Sequence, residues 1–284
     1  MALDEAAAQS PSFSVRFWGV RGSIACPGQE TWRYGGNTSC VEIRCGKNIL
    51  IFDAGTGVRA LGNALVKEAN TPAYDIFLSH CHIDHVVGLP FFAPLFVTGQ
   101  MVRVWAGNLR RVGGVHEAVR KLMSFPLFPL QVDALHAELD FRDFDAGEVL
   151  EPQPGIQIRT APLNHPGGAI GYRIDYGGRS VAYVTDIELG DGPIDEALLE
   201  LTRGVSLMII DATYTNEELP SHASWGHSSW QQGVRVANAA GVGQLCLFHH
   251  DPEHDDTFMD RIKADANAAR AGTIVASEGL RVDV

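Results

Sequence analysis

Apolar residues recur along the chain at two spacings, every second position and every third or fourth, and the switches between them mark out strands and helices. Positions 13–18 (FSVRFW) and 40–45 (CVEIRC) alternate, while 48–52 (NILIF) and 74–78 (YDIFL) read as buried-strand runs. A second set of strand-like runs lies at 156–161, 169–176, 179–185, 207–210 and 244–248. Helical spacing occupies 58–69, 193–203, 228–240 and 255–270. Two sets of strands interleaved with helices predict a layered α/β protein.

Polar residues cluster where the strands stop. The run 74–78 leads directly into His80-Cys81-His82-Ile83-Asp84-His85, three imidazoles and a carboxylate within six residues. Packing alone does not call for that density. Imidazole nitrogens and a carboxylate oxygen suit Zn²⁺ and neighbouring first-row metals, and the absence of a paired Cys-x-x-Cys argues against a closed structural zinc. Asn164-His165-Pro166 follows the 156–161 run, Asp186 follows 179–185, and His249-His250-Asp251 follows 244–248. Taken singly, His165 or Asp186 reads as a turn or cap residue; taken together with 80–85, they supply ligands enough for two metals. Cys81 reads either as a soft extra ligand or as a residue turned away from its neighbours.

Composition narrows the class. At 284 residues and 45% hydrophobic content the chain suits one domain, expected over 13–284 behind a disordered or loosely packed tail at 1–12. No apolar run reaches 18 residues, and the N-terminal stretch carries Asp4 and Glu5 without an apolar core, so a soluble, untargeted, cytoplasmic chain with no membrane contact is expected. The cysteines Cys26, Cys40, Cys45, Cys81 and Cys246 are odd in number and scattered, which fits a reducing compartment. A net charge of −12 opposes binding to extended nucleic acid or an anionic membrane.

Other stretches admit more than one reading. The stretch 91–135 holds Phe91, Phe92, Pro94 and Phe96, then a basic helical stretch at 110–121, then Phe125-Pro126-Leu127-Phe128. It reads as an insertion that covers the core, caps a pocket or forms a homodimer surface. With six basic and seven acidic residues over 91–150, it is no clamp for RNA. The run Tyr34-Gly35-Gly36-Asn37-Thr38-Ser39 lacks the P-loop pattern and reads as a turn into a strand, and Arg21 and Arg33 read as exposed arginines.

Five motifs in order, FDAGTG at 52–57, HCHIDH at 80–85, His165, Asp186 and His249, resemble the metallo-β-lactamase fold hydrolases over nearly the whole chain. The resemblance implies a four-layer αββα sandwich. It implies two divalent metal ions, most simply Zn²⁺, with Mn²⁺ or Fe²⁺ as alternatives. His80, His82 and His165 would hold one, Asp84, His85 and His249 the other, with Asp186 bridging and Asp53 supporting a ligand imidazole. His249 matches the family position better than His250.

Within that superfamily, Asp211-Ala212-Thr213 and Trp225-Gly226-His227-Ser228-Ser229 resemble elements of the phosphodiesterase branch, the tRNase Z-like and cyclic nucleotide phosphodiesterase-like enzymes. One departure is Ile210, where tRNase Z carries a His. The implied activity is hydrolysis of a small phosphodiester such as a cyclic nucleotide by a metal-bridging hydroxide, with Asp84 orienting the nucleophile and His227 contacting the phosphate or protonating the leaving group. The alternatives are a lactonase or other carboxylic-ester hydrolase, an RNA-processing phosphodiesterase, and a metal-binding module without turnover.

Overall fold

Alternation along each strand sends its two faces into different cores. In the computed structural model, which describes residues 12–68 and 73–284, the strands are β1 (Phe13–Gly19), β2 (Cys40–Cys45), β3 (Asn48–Phe52), β4 (Ala73–Leu78), β5 (Met101–Gly107), β6 (Glu138–Phe144), β7 (Val149–Gln153), β8 (Ile156–Leu163), β9 (Ala169–Tyr176), β10 (Arg179–Val184), β11 (Leu207–Asp211), β12 (Gln244–Phe248), β13 (Ile274–Val275) and β14 (Arg281–Asp283). They form two seven-stranded sheets, ordered β14-β1-β2-β3-β4-β5-β6 and β13-β12-β11-β10-β9-β8-β7. Residues 1–11 of the expected tail lie outside the described residues.

The sheets pack face to face. Phe17, Ile43, Phe52 and Phe77 of the first meet Ile158, Tyr172, Ile209 and Phe248 of the second in one buried cluster. The alternate positions face outward: Met208, Ile210, Leu245 and Leu247 pack under helices α4 (Glu196–Thr202), α5 (Trp230–Ala239) and α6 (Asp256–Ala269). On the other side Ile51, Tyr74, Ile76 and Val104 pack under α1 (Val58–Leu65) and α3 (Gly114–Leu122). The result is the expected αββα sandwich, and it fits the rule that each sheet face must be covered.

The segment 91–135 is only partly an excursion. Its residues Met101–Gly107 form β5, paired in parallel between β4 and β6. Arg103 obscures that strand in the sequence, but it lies opposite Asp75 and donates to it through Nε at 2.6 Å and Nη2 at 2.7 Å. Trp105 Nε1 adds a third bond to the same buried carboxylate at 2.9 Å, so the charge is fully paired. Phe92 and Leu95 enter the core, whereas Phe91, Phe125 and Leu127 are exposed.

Arg21 requires a correction. Expected at the surface, it is fully buried, and its guanidinium donates to backbone carbonyls of Gly35 (Nε, 2.8 Å), Asp251 (Nη1, 2.8 Å) and His254 (Nη1, 2.7 Å). A planar fork of donors can hold several loops at once, which is what it does here. Arg33 is exposed as expected and pairs with Asp260 at 2.8 Å.

The topology places the chemistry. β3 and β4 run parallel, as do β10, β11 and β12, and in both sheets these strands end at one edge of the sandwich. Groups at the carboxyl ends of parallel strands are the usual site builders of open α/β sheets. No helix among the described residues is long and apolar enough to cross a membrane.

Candidate metal centre

Five candidate residues sit one or two positions beyond a strand end: Asp53 after β3, His80 after β4, His165 after β8, Asp186 after β10 and His249 after β12. His82 precedes, and Asp84 and His85 lie on, the short helix α2 (Ile83–Val86). Asp53, Asp186 and His249 adopt the left-handed backbone region, with φ of 60°, 55° and 63°. Such conformations persist in non-glycine residues only where the surroundings impose them, and they gather at functional sites.

The side chains form two clusters that share one carboxylate. His80, His82 and His165 present ring nitrogens to one point, with His165 Nε2 at 3.1 Å from His82 Nδ1. Asp84, His85 and His249 present a carboxylate oxygen and two Nε2 atoms to another, with the two nitrogens 3.3 Å apart. Asp186 stands between them. Its Oδ1 lies 3.9 Å from His80 Nε2 and 3.8 Å from His165 Nε2; its Oδ2 lies 3.2 Å from His85 Nε2 and 3.3 Å from His249 Nε2.

The donor set fits divalent cations. Burial drives the His80 pKa down to about 2, with the nearby His85 adding to the shift, so the imidazole is neutral. Its Nδ1 meets Ser79 Oγ at 3.1 Å, and its buried Nε2 has no hydrogen-bond partner. A buried lone pair with no donor facing it is costly in a finished core and natural in a ligand. Burial would also raise Asp84 and Asp186, yet the imidazoles of His85 and His249 hold both well below the usual carboxylate range. Buried anions in this number call for positive charge between them.

Outer contacts fix the rings. Asp53 Oδ2 accepts from His85 Nδ1 at 2.8 Å, from Ser79 Oγ at 2.8 Å and from the Tyr183 hydroxyl at 2.8 Å, while Asp53 Oδ1 accepts from the Ser79 N–H at 2.7 Å. His165 Nδ1 donates to the Gly226 carbonyl at 2.8 Å, and His249 Nδ1 lies 3.1 Å from Thr213 Oγ1. Ser23 N–H donates to Asp84 Oδ2 at 2.8 Å. Partners of this kind set tautomer and ring orientation. Asp53→Ala is expected to weaken metal binding about 10- to 100-fold, measured by competition with a chromophoric chelator, and unchanged affinity would remove Asp53 from this role.

Glycines make several of the close approaches around the clusters. A Cβ on Gly226, at φ +87°, would stand 2.4 Å from His165 Nδ1, and one on Gly55 of the FDAGTG motif 2.3 Å from the Asp84 carbonyl oxygen.

His227 joins the site from the loop before α5. Its Nδ1 donates to Asp211 Oδ2 at 2.8 Å, and its ring stacks on His249 with centroids 5.0 Å apart. Burial lowers its pKa, but Asp211 outweighs this and lifts it to about 9.

The remaining expectations sort cleanly. His250 turns away from the clusters, its Nε2 on the Ala276 carbonyl at 2.9 Å, which favours His249 as the site imidazole. Cys81 joins none of the clusters and packs against the outer core under α1, its thiol pushed up to about 11 by burial. Among the residues that escaped the sequence reading are Ser79, Tyr183 and Glu188, whose carboxylate accepts from the Ser224 and Gly226 N–H groups at 3.0 and 3.1 Å. Tyr183 alone left a trace, since a tyrosine inside an apolar strand needs a hydroxyl partner.

Comparison with known proteins agrees with this geometry. Residues 47–250 match the family described as beta-lactamase superfamily domain. Ribonuclease Z of Synechococcus sp. (strain WH7803) is 25% identical over 259 residues, covering 74% of this chain and 79% of its own. Among solved structures, the metallo-beta-lactamase fold protein YhfI from Bacillus subtilis superposes with a TM-score of 0.70 at 18% identity, covering 95% of this chain and 99% of its own. A diphosphatase from the PhnP family gives 0.68 at 18% identity, covering 96% and 98%. With a family match across most of its length, laid over two histidine-aspartate clusters at the edge of an αββα sandwich, this chain belongs to the beta-lactamase superfamily and is a metal-dependent hydrolase related to ribonuclease Z.

Proposed function

We propose that the chain is a dinuclear phosphodiesterase acting on a small phosphodiester such as a cyclic nucleotide. One observation carries the reading: Asp186 turns one carboxylate oxygen to each cluster, with His227 beside it. His80, His82 and His165 would hold one divalent cation and Asp84, His85 and His249 the other, with Asp186 shared; the imidazole-rich set suits Zn²⁺ and accommodates Mn²⁺ or Fe²⁺. When bound, such a pair supplies an activated water at neutral pH and Lewis acidity toward the phosphoryl oxygens.

The chain's own residues do the rest. Asp84, fixed by the Ser23 N–H, orients the attacking water through its carboxylate. His227, charged and anchored through Nδ1 on Asp211, offers its Nε2 proton to the departing alkoxide. Only transition-state charge development makes full use of that proton.

Charge favours a small substrate. Glu188 and Asp191 line the depression that His227 also borders, and the chain carries a net −12. A polyanionic strand would meet repulsion there. The relationship to ribonuclease Z supports RNA processing as the second reading.

The readings separate in one assay. Metal-reconstituted protein is offered bis-p-nitrophenyl phosphate, 2′,3′- and 3′,5′-cyclic nucleotides, a tRNA precursor with a 3′ trailer, and a simple lactone, with Asp84→Ala as the control. Turnover of the small phosphodiesters that disappears in the variant is the expected result. Cleavage of the precursor in preference to them would favour the RNA-processing reading, and lactone turnover alone would overturn the phosphodiesterase reading.

A further inference from the structure

We propose that Trp225 forms a stacking wall for a planar aromatic ring of the substrate, a nucleobase, beside the depression that His222 and His227 line. The inference rests on the phosphodiesterase reading and names the substrate group that the metal centre itself leaves open.

Trp225 is 60% exposed, yet its backbone is bolted on both sides. Glu188 Oε1 accepts from the Ser224 N–H at 3.0 Å and Glu188 Oε2 from the Gly226 N–H at 3.1 Å. Between those two bonds the Trp225 N–H itself donates to the His222 carbonyl at 3.1 Å. The indole is thus presented to solvent from a rigid loop. The ordering cost of the loop backbone is therefore met before any ligand arrives.

The neighbouring ring is equally fixed. His222 stacks on Tyr214 with centroids 4.2 Å apart, meets Trp225 edge to face at 4.8 Å, and donates from Nδ1 to the Glu218 carbonyl at 2.9 Å. That leaves His222 Nε2 as an acceptor. His222 and His227 line one depression of about 400 Å³, together with Leu219, Pro220 and Gln232. That volume falls within the range of small-ligand clefts, and apolar walls with a few convergent polar groups are their usual make-up. A base held there keeps its phosphate within one small molecule's length of His227.

The acidic lining is consistent with this occupant. The carboxylate of Asp191 and the free nitrogen of His222 accept hydrogen bonds from base N–H groups while opposing further phosphates. Glu188 acts as a positioning residue, because its two bonds set where Trp225 and Gly226 stand. Because Gly226 also receives His165 Nδ1, the wall and the metal centre are held in fixed relation.

The test compares two substrates that differ only in the base, 2′,3′-cyclic AMP and the 2′,3′-cyclic phosphate of methyl riboside. Stacking of one base on an aromatic side chain is worth about tenfold or more in affinity. The wild-type preference for the nucleotide, expressed mainly in KM, is expected to shrink about tenfold in Trp225→Ala and to persist in Trp225→Phe. An unchanged preference in Trp225→Ala would overturn the proposal.

A second arm needs no turnover. Adenosine, with ribose as control, is expected to quench indole fluorescence in the wild-type protein and not in Trp225→Phe; equal quenching, or none, in both would overturn the proposal. If neither cyclic phosphate is hydrolysed while the quench is still lost with Trp225, the phosphodiesterase reading fails and the base site stands.

Discussion

Asp186→Ala is expected to lower phosphodiester turnover at least about a thousandfold and to leave the protein unable to retain two metals per chain. The carboxylate serves both clusters, with Oδ1 toward His80 and His165 and Oδ2 toward His85 and His249, so its removal disturbs both clusters at once. Metal-derived charge stabilisation is worth several kcal/mol, and each 1.36 kcal/mol is tenfold in rate, so the size follows from losing that stabilisation. Elemental analysis after gel filtration measures the metal content beside the rate. A variant that still carried two metals per chain would show that Asp186 does not bridge. The side chain is fully enclosed, so a thermal melt accompanies the assay to exclude collapse of the fold.

His227→Ala has the second largest expected effect, a fall of about 10²- to 10⁴-fold in kcat with both metals kept, because a positioned general acid contributes on that scale. The direction of the effect across substrates distinguishes acid catalysis from simple packing. A substrate with a p-nitrophenolate leaving group needs little help from a proton, whereas an alkoxide leaving group needs it fully. The loss is therefore expected to be much larger for a cyclic nucleotide than for bis-p-nitrophenyl phosphate. Equal losses on both would place His227 in phosphate binding, and loss of metal would make it a ligand. Its anchoring by Asp211 at 2.8 Å explains why this imidazole carries the proton while His80, buried among other imidazoles, does not.

Much of this site is written into local runs. The six residues of HCHIDH lie on one turn after β4, and His165, Asp186 and His249 each follow an apolar strand, so strand-end position together with side-chain chemistry is enough to find them. The inter-sheet core was legible for the same reason, since alternation with a period of two marks both faces of a strand. What stayed hidden depends on contacts between distant residues. β5 carries Arg103 in its middle, and only the facing Asp75 explains that charge. β6 reads Glu-Leu-Asp-Phe-Arg-Asp-Phe, a charged edge strand of the kind that resists pairing with other chains and leaves no hydrophobic run to detect. Arg21 gives no local hint of burial, because the carbonyls that receive it come from residues 35, 251 and 254. Glu188 is the most consequential omission: its two bonds to the 224–226 loop join segments 36 and 38 residues apart, and no spacing rule reveals such a clamp.

The most direct test is an activity titration. Protein stripped with a chelator is returned to activity on bis-p-nitrophenyl phosphate by measured additions of Zn²⁺ or Mn²⁺. The expected curve starts at negligible turnover and reaches its plateau only at two equivalents per chain; a plateau at one equivalent, or full turnover in the stripped protein, would contradict the dinuclear account.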